Sequence, residues 1–178
     1  VKISQKVGEE NFKLFLLKLG ILEKINFDIE EVGKPIKFNW GKCPLATASY
    51  GHGITTTLIQ LVKAYSIITN GGFNIKPSLI KDRKKIKKEK ILIDGVSKKI
   101  LAILRKVVTD KEGTASLANV KGYEIGGKTG TAQKSSLGGY SKKKKINTFV
   151  SIFPTSKPKF VLAVMLDEPE INEDYIYE

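Results

Sequence analysis

Apolar residues at Phe12, Phe15, Leu16 and Leu19 recur every three or four positions, with Glu9 and Glu10 ahead of them and Gly20 behind. The spacing predicts a helix over about residues 8–19, its acidic start and glycine stop suiting the helix dipole and a left-handed cap. Residues 20–56 break that period: Pro35 and Pro44 punctuate them, and Trp40 sits near their middle. They read as a long irregular connection held by a few apolar anchors, a length that goes with function or scaffolding. From Thr55-Thr56-Thr57 the helical period returns, with Leu58, Leu61, Val62, Tyr65 and Ile68 on one face and Gly71-Gly72 as the stop. Strand-like pieces at Pro77–Ile80 and Ile91–Ile93, separated by a lysine-rich turn, are placed to pair as a small hairpin. Ser97 is expected to cap a third helix with an apolar stripe of Ile100, Leu101, Leu104, Val107 and Val108. Past Gly113 the period becomes extended: Ile125–Gln133, Thr148–Phe153 and Phe160–Leu166 read as consecutive strands. Short loops between them predict an antiparallel meander. With the helices before it, the expected class is α+β, helices packing on one or both faces of an antiparallel sheet.

Composition limits what such a layout can do. At 178 residues and 41% hydrophobic content the chain buries one sizeable core and suits a single domain or part of one. Its formal charge of +13 raises nucleic acid or an anionic membrane as partners. Against both, only Arg83 and Arg105 of the 31 basic residues are arginine, whereas phosphate recognition favours the guanidinium fork. The densest clusters, Arg83–Lys90 and Lys142–Lys145, have little aromatic interleaving, so they read as solvated surface and no nucleic-acid partner is expected. Cys43 is the single cysteine, which excludes an internal disulfide and a cysteine-based zinc site. No metal or other cofactor is expected. No apolar run approaches the roughly 18 residues of a membrane span, so the chain as it stands is expected to be soluble. It begins at Val1 and runs out at Asp174-Tyr175-Ile176-Tyr177-Glu178, and the expectation is a fragment cut at both ends.

The chemistry concentrates between Gly122 and Thr131. Gly122-Tyr123-Glu124-Ile125-Gly126-Gly127-Lys128-Thr129 fits the P-loop pattern, and Val161–Glu168 is an apolar strand ending in acids, like a magnesium-holding strand. A nucleotide-binding protein is therefore one alternative. A P-loop must follow a buried strand and open a helix, however, and neither flank complies. The second reading takes Lys128-Thr129-Gly130-Thr131-Ala132 as the K-T-G element of serine β-lactamases and penicillin-binding proteins. So short a string has little weight alone, but its flanks add to it. Ser49-Tyr50-Gly51-His52-Gly53-Ile54, then Thr57, Gln60-Leu61, Ala64-Tyr65 and Asn70-Gly71-Gly72, resemble the family's helix-and-loop block before that strand. Gly113-Thr114-Ala115, Phe149-Val150-Ser151-Ile152-Phe153-Pro154 and Leu166-Asp167-Glu168-Pro169 follow in the family's order. The chain resembles, over nearly its whole length, class B penicillin-binding proteins of the septal, cell-division type.

The resemblance implies a penicillin-binding, serine β-lactamase-like transpeptidase fold, with residues 1–178 as the C-terminal part of one transpeptidase domain. It implies a peptidoglycan D,D-transpeptidase that binds penicillin and cross-links stem peptides ending in D-Ala-D-Ala through a serine acyl-enzyme. By resemblance Lys128 and Thr131 are the catalytic residues, and Thr129, Gly130 and Thr131 bind the substrate or β-lactam carboxylate. The amide of Thr131 would be an oxyanion-hole donor. Outside this setting Lys128 would read as an edge-strand guard against aggregation. Implied partners are the stem peptide, β-lactams and wall-synthase or divisome proteins. The implied location is the periplasmic side of the bacterial inner membrane, reached through an N-terminal anchor missing here. Two positions depart from the family: His52 stands where an aromatic residue is usual, and Leu58 where proline is common. His52 is expected to pack or hydrogen-bond locally. The Ser-x-x-Lys strings Ser78–Lys81, Ser141–Lys144 and Ser156–Lys159 look accidental, and no Ser-x-Asn occurs. The reactive half is expected upstream and the fragment alone inactive; a noncatalytic penicillin-binding sensor or scaffold is the remaining alternative.

Overall fold

The computed structural model describes residues 1–81, 89–136 and 139–170, with the backbone alone for 135, 136 and 139–143. Most of the Arg83–Lys90 cluster and the C-terminal residues 171–178 fall outside the described residues. Helix α1 (Lys2–Val7) leads directly into α2 (Glu9–Leu19). Gly20 closes α2 in the left-handed conformation, φ 78°, its amide donating to the Leu16 and Leu17 carbonyls, as the expected helix over 8–19 requires. The connection that follows is irregular except for α3 (Lys42–Ala48). Trp40 pins it by edge-on contacts with Phe12 of α2 at 6.4 Å and with Phe38 at 4.8 Å between ring centroids.

Helix α4 (Leu58–Thr69) opens on a reciprocal cap: the Thr57 hydroxyl accepts from the Gln60 amide, and the Gln60 side chain accepts from the Thr57 amide. Its buried line is Gln60, Ala64 and Ile67, not the expected Leu58, Leu61, Val62, Tyr65 and Ile68. A polar residue takes the innermost position because its amide group has carbonyls to satisfy. Gln60 Nε2 donates to Gly20 O at 3.0 Å, Ile21 O at 3.1 Å and Glu23 O at 2.8 Å. Around it Leu19, Ile21, Ala64, Ile67 and Leu92 form a core cluster flanked by Leu16, Leu61 and Ile68.

The expected hairpin between Pro77–Ile80 and Ile91–Ile93 does not form. Phe73 bridges Lys90 instead, and the Ile91 and Leu92 amides donate to Gly72 O at 2.7 and 3.1 Å. Gly72 permits this approach: its φ is 92°, and a Cβ there would lie 2.6 Å from Leu92 Cβ. Helix α5 (Val96–Thr109) is capped by Gly95 in the left-handed region, φ 82°, rather than by Ser97, which is buried inside the first turn with its hydroxyl unpartnered. Leu104 and Val108 carry the buried stripe.

The strands are β1 (Gly126–Ser136), β2 (Gly139–Phe153) and β3 (Phe160–Asp167), an antiparallel sheet in the order β1-β2-β3. The meander expected from the Val, Ile and Phe runs is present, and the class is α+β. In register, Gly126 pairs with Ile152, which pairs in turn with Val161, and Lys128 pairs with Val150, which pairs in turn with Ala163. Helix α5 packs along β1, while α4 packs on β2 and β3. Val150 and Ile152 are buried in the sheet's central strand, each burial stabilising by about 1.5–3 kcal/mol. Leu162, Val164 and Leu166 are exposed. Strand β1 is left at one edge of the sheet, with no strand on its other side among the described residues.

Candidate functional site

Two glycines seat β1. A Cβ on Gly126 would fall 3.1 Å from Arg105 N and Leu104 C, so the strand begins in backbone contact with α5. A Cβ on Gly127 would fall 2.6 Å from Val150 O and 2.8 Å from Phe149 Cζ, so its neighbouring strand and an aromatic ring occupy that space. Arg105 adds a side-chain tie from α5, its Nη1 donating to Ile125 O at 2.6 Å. Across the loop after β2, Thr155 N donates to Glu124 O at 2.9 Å. The Glu124 carboxylate accepts from both the amide and the hydroxyl of Ser156. Those two bonds, with the Arg105 charge as a lesser cause, hold the Glu124 carboxyl below the usual carboxylate range.

Lys128, Thr129, Gly130 and Thr131 follow in β1, opposite Val150, Phe149, Thr148 and Asn147. Lys128 is exposed and its ammonium makes three hydrogen bonds: Thr129 O at 2.9 Å, Thr129 Oγ1 at 3.3 Å and Thr114 Oγ1 at 3.3 Å. Thr129 Oγ1 also lies 3.2 Å from Thr114 Oγ1. Lys128, Thr129 and Thr114 are therefore one cluster. Thr131, two residues on in the same strand and exposed, takes no part in those bonds. At Gly130 a Cβ would meet only Thr148 O, 4.0 Å away, so the strand's surface there is open. A fixed ammonium beside two hydroxyls and an unobstructed edge strand can hold an anionic group and pair with an extended peptide.

Thr114 was not among the residues that sequence reasoning placed in the site. Its signal was present in Gly113-Thr114-Ala115, but the contact depends on how the end of α5 folds back. At the other end of β1, Lys134 bonds Asp167 at 2.8 Å and Glu168 at 2.8 Å, and Lys144 reaches Glu168 at 3.3 Å. The carboxylates raise the Lys134 ammonium above the usual lysine range, and the two lysines lower Glu168. Asp167, Glu168 and Lys144 are exposed and Lys134 is only half-buried, so this network orients the strand ends more than it stabilises them.

The P-loop alternative fails on geometry. A 3₁₀ turn at Ser116–Ala118, not a strand, leads toward the motif, and Lys128 and Thr129 lie inside β1 rather than at a helix N-terminus. None of the three Ser-x-x-Lys serines is on a helix. Ser78 lies in a loop donating to Asp28 Oδ2 at 2.6 Å, Ser141 is in β2, and Ser156 is in the turn bound to Glu124. His52 is half-buried with its amide donating to Thr47 O at 3.1 Å and its ring beside Tyr50, a local packing role. Leu58 takes the first position of α4 without disturbing the cap. No helix among the described residues is long and apolar enough to cross a membrane.

The family described as penicillin binding protein transpeptidase domain matches residues 1–177. Stage V sporulation protein D of Bacillus subtilis is 32% identical over 185 positions, covering 96% of this chain and 28% of that protein. A probable peptidoglycan D,D-transpeptidase PbpC of Pseudomonas aeruginosa is 35% identical over 135 positions, covering 76% and 24%. Among solved structures, the apo transpeptidase domain of Burkholderia pseudomallei penicillin-binding protein 3 superposes with a TM-score of 0.87 at 29% identity, over 94% of this chain and 52% of that one. Penicillin-binding protein 3 of Mycobacterium tuberculosis, in complex with aztreonam, gives 0.87 at 26% identity, over 94% and 42%. The chain thus spans about a quarter of the curated relatives and about half of the Burkholderia domain. With the fold shared across that half and the sequence match running almost from end to end, the chain belongs to the penicillin-binding protein transpeptidase domain family.

Proposed function

We propose that the chain is the C-terminal part of the transpeptidase domain of a septal peptidoglycan D,D-transpeptidase, and that β1 forms one wall of its cleft. The observation that carries this reading is the Lys128 ammonium, held by three hydrogen bonds on an edge strand whose surface is open at Gly130. A stem peptide ending in D-Ala-D-Ala would lie extended along that edge, its carboxylate drawn to Lys128, Thr129 and Thr131. The Thr131 amide would donate to the oxyanion formed when a serine attacks the scissile carbonyl. Preorganised donors aimed at developing negative charge lower the barrier because they need not reorganise during reaction. β-Lactams would enter as mimics of the same terminus; the Mycobacterium relative is seen with aztreonam and with ampicillin.

The serine and the proton-accepting lysine would come from an upstream Ser-x-x-Lys on a helix, and the opposite wall from a Ser-x-Asn. Coverage of only half of the Burkholderia domain supports that division. A noncatalytic sensor would lack those upstream motifs. Divisome partners and an N-terminal membrane anchor belong to the same reading. The test is fluorescent-penicillin labelling of the full-length polypeptide and of the 178-residue chain alone. The full-length protein is expected to label and the chain not to; a labelled chain or an unlabelled full-length protein overturns the proposal.

A further inference from the structure

Strand β1 by itself does not fix where the Lys128 ammonium sits. Two of its three hydrogen bonds go to the adjacent residue, Thr129 O at 2.9 Å and Thr129 Oγ1 at 3.3 Å. A flexible four-carbon stem can make such local contacts from more than one rotamer. The third bond leaves the strand for Thr114 Oγ1, 3.3 Å away. An ammonium has three donors, so these partners use all of them, and Thr114 supplies the one that selects a direction. The Thr129 hydroxyl, 3.2 Å from the same oxygen, is tied into the arrangement.

Thr114 is itself held from both sides. Residues 113–116 wrap the C-terminal end of α5: Gly113 N donates to Asp110 O at 3.0 Å, Ala115 N to Val107 O at 3.3 Å, and Ser116 N to Gly113 O at 3.0 Å. Ala115 is buried, and Gly113 runs so close to the helix that a Cβ would fall 2.2 Å from the Val107 carbonyl oxygen. Any side chain at 113 would push the loop away from α5 and carry Thr114 with it. The same helix is seated on β1 through Gly126 and through Arg105 to Ile125 O. The separation of Thr114 from Lys128 is therefore set by backbone packing at each end, with α5 as the rigid spacer.

We propose that Thr114 is a positioning residue for Lys128: its hydroxyl, carried on the end of α5, fixes the direction in which the ammonium faces the cleft. The proposal rests on the transpeptidase reading of Lys128. Its test compares acylation of the full-length polypeptide by fluorescent penicillin, resolved into binding and acylation steps, for wild type, Thr114→Val, Thr114→Ser and Lys128→Ala. Valine keeps the shape of threonine and removes the oxygen; serine keeps the oxygen. Thr114→Val is expected to lower the second-order rate about tenfold with an unchanged melting temperature, and Thr114→Ser to stay within about twofold of wild type. Thr114 is exposed, and Thr114→Ala, a second oxygen-free variant, is expected to match Thr114→Val. Wild-type acylation by Thr114→Val overturns the proposal. So does an equal loss in Thr114→Ser, which would assign the effect to the methyl group. If Lys128→Ala disables acylation while Thr114→Val does not, positioning fails alone; if Lys128→Ala acylates normally, the reading of Lys128 fails first.

Discussion

Gln60 is wholly buried, and the packing of α2 against α4 depends on it. Its Nε2 has two hydrogens and three carbonyl partners, at Gly20, Ile21 and Glu23. Its Oε1 accepts from the Thr57 amide at 2.9 Å and the Thr57 hydroxyl at 3.0 Å. Gln60→Leu keeps the approximate volume and removes every one of these bonds. Each buried acceptor left unpaired costs about 1–3 kcal/mol, and half of the helix cap goes too, so the expected loss is roughly 3–5 kcal/mol. Against a usual total of about 5–15 kcal/mol that is a large fraction. Urea unfolding followed by Trp40 emission measures it, because the Trp40 ring rests on Phe12 of α2 and reports the seating of that helix. Gln60→Glu sharpens the test. It keeps the acceptor for Thr57 but turns a carboxylate oxygen toward the three carbonyls, so its deficit should shrink on acidification as the protonated group regains one donor. A loss below about 1 kcal/mol in Gln60→Leu would refute the reasoning, as would a pH-independent deficit in Gln60→Glu.

Gly127→Ala is expected to lower the melting temperature, a cost of about 1–3 kcal/mol, since its Cβ would meet Val150 O at 2.6 Å and the Phe149 ring at 2.8 Å. Gly130→Ala, with nothing nearer than Thr148 O at 4.0 Å, should melt like wild type yet slow penicillin acylation by obstructing the strand surface; equal melting of the two variants would contradict this. Because its folded pKa is depressed, Glu124 contributes stability above the ordinary glutamate range, and that contribution fades as pH falls through the folded value. Ser156→Ala should raise the Glu124 pKa toward the ordinary value in an NMR titration, and an unmoved titration would remove Ser156 as the cause.

The strands were legible because their apolar positions are local and strongly patterned: Phe149, Val150, Ile152 and Val161–Leu166 declare extended structure without reference to anything distant. Helix α2 was legible for the same reason, Gly20 marking its end. Helix α3 was hidden by Pro44, read as loop punctuation, although proline fits the first turn of a helix, where its missing amide hydrogen costs nothing. Helix α1 has no apolar stripe to reveal it. Gln60 misdirected the burial of α4, because its partners lie some forty residues away in the turn after α2. Ser97 attracted the cap to itself, yet Gly95 supplies the left-handed start.

The same distinction runs through the site. Lys128-Thr129-Gly130-Thr131 is contiguous and its strand could be read directly. That Lys128 and Thr129 meet Thr114 could not, because it follows from α5 packing on β1 through Gly126 and from the close passage of Gly113 over Val107 O.

The most direct test of the central claim is the second-order rate at which the full-length polypeptide is acylated by penicillin, wild type against Lys128→Ala. Lys128 is exposed and bonds only threonine oxygens, so its removal should leave the melting temperature unchanged while acylation falls by about a hundredfold or more, the scale of losing a preorganised charge at a reacting centre. Acylation of Lys128→Ala at the wild-type rate would contradict the assignment of β1 as a wall of the cleft.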